Sequence, residues 1–147
     1  MRHPLQFCDG LLVLVESRER QGAMDFKLRV ASNFTWAPDE LIRKLWAVRP
    51  TLTEHACTSD DVDGEEGPAG HAMTVPHLVE HLAIDLLVER RGADASGEPV
   101  AGYTVWLNRR HGLARVTLSS TDHATTEQAL HDACRILEDA EGDSRPI

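Results

Sequence analysis

The chain predicts an α+β fold: an antiparallel four-stranded sheet made of two hairpins, with about three helices packed on it in a single domain. Two observations carry this. Short β-branched and apolar runs come in pairs around turn residues, and between and after those pairs stand longer runs with helical spacing. The resulting order is hairpin, helix, loop, helix, hairpin, helix, without the strict strand–helix alternation of a parallel sheet. A chain of 147 residues can bury a core without disulfide or metal staples.

The first hairpin is predicted from Leu11 to Glu16 and Asp25 to Ala31, flanking the polar turn Ser17 to Ala23, where Gly22 can take a positive φ. Pro38 stands where a helix would begin. Asp39 and Glu40 suit its first turn, Leu41, Ile42, Leu45, Trp46 and Val48 give helical spacing, and Pro50 ends it. Residues 58–70 (TSDDVDGEEGPAG) are acidic and glycine-rich with no apolar period, which predicts a flexible loop.

A second helix is predicted from Val75 to Arg91. Thr74 is its cap, Pro76 lies in its first turn, Arg90 and Arg91 lie at the negative dipole end, and Gly92 stops it. Tyr103 to Leu107 and Leu113 to Leu118, separated by NRRHG, form the second hairpin. A third helix opens at Thr125 or Thr126 and ends near Ala140.

Composition narrows the function. A formal charge of −9 disfavours nucleic acid as the main partner, since phosphate binding needs a basic patch, and makes a cationic peptide the easier one. No apolar run reaches the length of a membrane span, and the N-terminal residues read as strand rather than export signal. Cys8, Cys57 and Cys134 form no C-x-x-C pair, which points to free thiols in a reducing cytoplasm. The sequence is compatible with a homo-oligomer and does not specify one.

The chemistry concentrates on the second helix. His77 and His81 stand one turn apart and project to the same side, the spacing that lets two imidazoles bind one Zn²⁺, with Glu80 beside them. In this H-x-x-E-H order, the inverzincin signature, Glu80 would take a proton from the metal-bound water. The rest of the helix is apolar nearly all round, so these groups are expected to be buried and to need partners.

A third ligand is expected from Glu127, placed on the stripe Glu127, Leu130, Cys134, Leu137, or from His123 in STDH. Asp85, one turn after His81, either orients that imidazole from behind or is an ordinary solvated or salt-bridged aspartate. His55 and Cys57 in TEHAC read as a capping histidine and a packed cysteine, and Cys134 as core.

Three stretches, ELIRKLWAVRPTLTEHAC, HLVEHLAIDLL, and the span from GLARVTL through ALHDACRIL, together resemble the N-terminal domain of cyanophycin synthetase over most of residues 38–137. Asp85 stands where that family has a glutamate. The resemblance implies either a zinc peptidase that cuts an arginine-rich polypeptide or a noncatalytic domain kept as scaffold. It implies no ATP-dependent synthesis, because the ligase and ATP-grasp modules lie outside the matching stretches.

Overall fold

The computed structural model describes residues 5–6, 12–31, 35–49, 58–59, 73–91, 100–120 and 122–144. Within them, alternation of apolar and polar residues produces two long hairpins. The first joins β2 (Leu12–Arg20) to β3 (Ala23–Val30), the second β5 (Gly102–Asn108) to β6 (Leu113–Ser119). They meet through antiparallel β3 and β6, giving the long-strand order β2-β3-β6-β5. Two-residue strands extend the edges: β1 (Leu5–Gln6) runs antiparallel to β2, and β4 (Thr58–Ser59) parallel to β5. The first two residues of the predicted acidic loop are therefore strand; its remaining residues, 60–70, lie outside those described.

Both turns depend on glycine. Gly22, at φ 78°, closes β2 onto β3 across a turn tighter than the predicted Ser17–Ala23 segment, because pairing continues to Arg20 opposite Ala23. Gly112, at φ 68°, follows the 3₁₀ turn Arg109–His111, and a Cβ there would stand 2.2 Å from the Val30 carbonyl oxygen.

The helices are α1 (Asp39–Val48), α2 (Val75–Arg91) and α3 (His123–Ser144). Pro38 occupies the N-cap of α1 with Asp39 and Glu40 in its first turn. α2 has the predicted bounds, and the His77 amide faces the Thr74 hydroxyl at 3.4 Å, the reach expected of that cap. α3 begins earlier than predicted because Asp122 caps it: its carboxylate accepts from the Thr125 amide at 3.2 Å and the Thr125 hydroxyl at 2.8 Å.

α2 and α3 pack on each other and on one face of the sheet, and α1 packs on α3. Their core includes Leu12, Phe26 and Leu28 from the first hairpin, Val116 and Leu118 from the second, and Leu78, Leu82, Leu130 and Leu137 from the helices, all fully buried. Cys134 is a core residue, as expected. No helix among the described residues is long and apolar enough to cross a membrane.

Candidate functional site

Burial of α2 is deep over its first three turns. Val75, Leu78, Val79, Leu82, Ala83 and Ile84 are all within 1% of full burial, His81 is half-buried, and the helix is exposed from Val88. The buried polar side chains His77, Glu80 and Asp85 therefore sit among apolar neighbours, where each must be hydrogen-bonded, ion-paired or neutral.

His77 and His81 converge. Their Nε2 atoms are 3.2 Å apart and their ring centroids 4.7 Å, with the planes tilted by 56°. Two nitrogens each about 2.0–2.1 Å from one tetrahedral zinc ion lie about 3.3 Å apart, so the pair fits two positions of such a shell. The same separation suits a hydrogen bond between neutral rings when one carries its proton on Nε2 and the other on Nδ1. His77 is 7% exposed, and burial pushes its imidazole down to about 4.

Glu80 points from the same turn onto β5. It is fully buried, and the Thr104 hydroxyl donates to its Oε1 at 2.6 Å. Gly102 makes this approach feasible: a Cβ there would lie 2.7 Å from Glu80 Oε2, 2.9 Å from its Cγ and 2.9 Å from Ile84 Cδ1. The glycine is a close-approach position, which removes the methyl that would otherwise push helix and strand apart.

Asp85, 2% exposed, accepts from Arg49 Nε at 2.5 Å. Arg49 follows the last residue of α1 and also reaches Glu89 at 2.7 Å. The salt bridge expected for Asp85 is present, with Arg49 as its cation. Arg49 thereby ties α1 to the face of α2 that carries His77, His81, Asp85 and Glu89 at four-residue intervals.

The two expected third ligands are not brought to the histidine pair: among the described residues no three His, Cys, Asp or Glu side chains gather as a metal-binding group. Glu127 does not face the core. Its side chain is 42% exposed, 3.8 Å from His131 Nε2, because the inward position on that turn belongs to Thr126, in step with the buried Leu130, Ala133 and Leu137. His123 lies in the first turn of α3, where its Nδ1 is 3.0 Å from the Ser120 hydroxyl. His55 and Cys57 lie outside the described residues.

Arg49, Gly102 and Thr104 are the site residues that sequence reasoning missed. A glycine opening a strand two residues before a threonine on the same face was the available signal for the latter two. Comparisons with protein-family models, with curated proteins and with solved structures gave no match, so the likeness of this helix to the cyanophycin synthetase domain rests on the quoted residues.

Proposed function

We propose that the chain is a zinc-dependent hydrolase, a peptidase acting on an arginine-rich or cyanophycin-like peptide in the cytoplasm. His77 and His81 would hold the metal, and Glu80 would accept and return the proton during hydrolysis. The observation that carries this reading is the 3.2 Å convergence of the two Nε2 atoms one residue from a buried carboxylate. Zinc at that position would supply Lewis acidity to the scissile carbonyl. The protein's own part is to hold two imidazoles in ligating geometry and to orient Glu80 through Thr104. An overall charge of −9 attracts a cationic chain.

A second reading, a noncatalytic binding or assembly module, is favoured by a specific observation. Glu80 and Asp85 both have structural partners, Thr104 and Arg49, as polar groups in a packed core would.

Metal analysis of untagged protein separates the two. The hydrolase reading expects about one zinc per chain, lost in His77→Ala/His81→Ala, and a Glu80→Gln variant that keeps zinc but no longer cleaves arginine-rich peptides. Wild-type protein that neither retains zinc nor cleaves such peptides would leave the module reading.

A further inference from the structure

The sheet has a second face, turned away from α2 and α3. In register across it, Lys27 of β3 lies opposite Arg115 of β6, which lies opposite Val105 of β5. Their chain neighbours Phe26, Leu28, Ala114, Val116 and Thr104 are buried against the helices, so strand alternation turns Lys27, Arg115 and Val105 outward. Arg18 lies opposite Asp25 on the same surface, and Leu107, at the β5 irregularity, is 42% exposed. Glu16, Arg18, Asp25, Lys27, Leu107 and Arg115 together line an open cavity of about 250 Å³.

Its charges are not balanced by pairing. Glu16 is committed to Lys27 at 3.4 Å. Asp25 accepts from Arg20 Nε at 2.8 Å, from a second Arg20 nitrogen at 3.2 Å and from the Thr117 hydroxyl at 2.7 Å. Both carboxylates are thus occupied. Among the described residues, neither Arg18 nor Arg115 makes a side-chain hydrogen bond or a close ion pair, and the Arg115 charge acts on Asp25 only from further off. The terminal guanidinium nitrogens of the two arginines are therefore the donors left for an incoming oxygen.

We propose that this face is a binding site for a small oxyanion, a carboxylate or phosphate, held by the guanidinium groups of Arg115 and Arg18. A guanidinium presents paired donors in a plane, the geometry that grips two oxygens of one such group. The cavity is smaller than the roughly 300 Å³ at which sites for drug-sized ligands begin, which suits a ligand of phosphate or amino-acid size. Leu107 at the rim accommodates one short apolar arm. The site is independent of the zinc reading, because Thr104, which holds Glu80, and Val105, beside Arg115, point to opposite faces of β5.

The test is an NMR titration of the whole chain at constant ionic strength, observing backbone amides and arginine Nε–H groups. The probes are sodium phosphate and, separately, sodium succinate, with potassium chloride as the control. Saturable shifts centred on Arg18, Lys27 and Arg115 are expected with at least one of the first two, and whichever saturates identifies the source as phosphate or carboxylate. Arg115→Gln and Arg18→Gln should each weaken binding about tenfold or more, whereas Arg43→Gln, exposed on α1, should leave it unchanged. Should Arg115→Gln fail to fold, the exposed Arg18→Gln still decides the matter. Shifts that never saturate, shifts that chloride reproduces, or unchanged affinity in the arginine variants would overturn the proposal.

Discussion

Two threonines on adjacent strands each donate to a carboxylate at almost the same distance, with very different consequences. Thr104 of β5 holds Glu80 at 2.6 Å on the helix side of the sheet, and Thr117 of β6 holds Asp25 at 2.7 Å on the open side. Glu80 is fully buried, whereas the Asp25 side chain keeps 17% of its exposure and has Arg20 beside it. Partial burial alone would raise the Asp25 carboxyl. The hydrogen bonds from Arg20 and Thr117, with the charges of Arg20 and Arg115, more than offset it and hold Asp25 below the ordinary carboxylate value. The comparison teaches that surroundings, not the immediate donor, decide what a carboxylate costs the fold: the inner face is the expensive one.

The largest effect expected from that asymmetry lies at Arg49. Replacing it with methionine removes the cation 2.5 Å from a carboxylate that is 2% exposed and unties α1 from α2. Breaking a buried pair from one side costs about 3–5 kcal/mol, to be read as a lowered urea midpoint at unchanged slope. The double variant Arg49→Met/Asp85→Asn should recover much of the loss. A loss below about 1 kcal/mol would place the pair in the class of exposed ion pairs and break the comparison.

Acid should separate the two faces next. His77 titrates near 6.5 in the unfolded chain and about 4 in the folded one, so between those values the unfolded state binds more protons. Its contribution is therefore full above about pH 6.5, falls as pH drops toward 4, and is flat below, with a ceiling of roughly 3 kcal/mol from the shift. Asp25 acts lower: its stabilisation is present above the ordinary carboxylate value and is lost as pH falls through its depressed folded value. In metal-free protein held in chelator, His77→Gln should flatten the denaturation profile between pH 6.5 and 4 and leave the more acidic limb intact. An unchanged profile would show that His77 is not held neutral by burial.

Smaller losses are expected where β5 meets α2. Thr104→Val keeps shape and removes a donor to a buried carboxylate, an expected cost of about 1.5–3 kcal/mol, with Thr104→Ser restoring most of it. Gly102→Ala forces a methyl to within 2.7–2.9 Å of Glu80 and Ile84, an overpacking expected at about 1–3 kcal/mol. Both are read from chemical denaturation, and a neutral Gly102→Ala would mean that the strand can back away from the helix.

These particulars show what was legible in advance. α2 was readable to the residue because Thr74, Pro76 and the terminal arginines are local signals, and the two hairpins because alternation is local too. The start of α3 was also signalled, by Asp122 three residues before Thr125, but the following Thr125-Thr126 pair drew the boundary inward. Glu127 was misplaced because one residue of phase on a helix is 100°, and Thr126 takes the inward position. The partners of Glu80 and Asp85 lie 24 and 36 residues away, and only the packing of helix on strand and helix on helix brings them into contact. The two-residue edge strands carry too short a pattern to read at all.

The smallest effect is expected on the open face, and it sharpens the contrast most because the chemistry matches. Thr117→Val removes the same kind of donor from the same kind of acceptor as Thr104→Val. Asp25, however, keeps two nitrogens of Arg20 at 2.8 and 3.2 Å and retains access to water, so its carboxylate is never stranded. Arg20 is itself half exposed, which places its ion pair among those worth about 0–1 kcal/mol and screened by salt. Thr117→Val and Arg20→Gln should therefore each cost under about 1 kcal/mol, and the Arg20→Gln loss should shrink as ionic strength rises. If Thr117→Val proved as costly as Thr104→Val, the difference between the faces would have to come from strand position rather than burial. Burial predicts that the two valine variants differ severalfold with hydrogen bonds of matched length, and parallel urea titrations of the pair measure that difference.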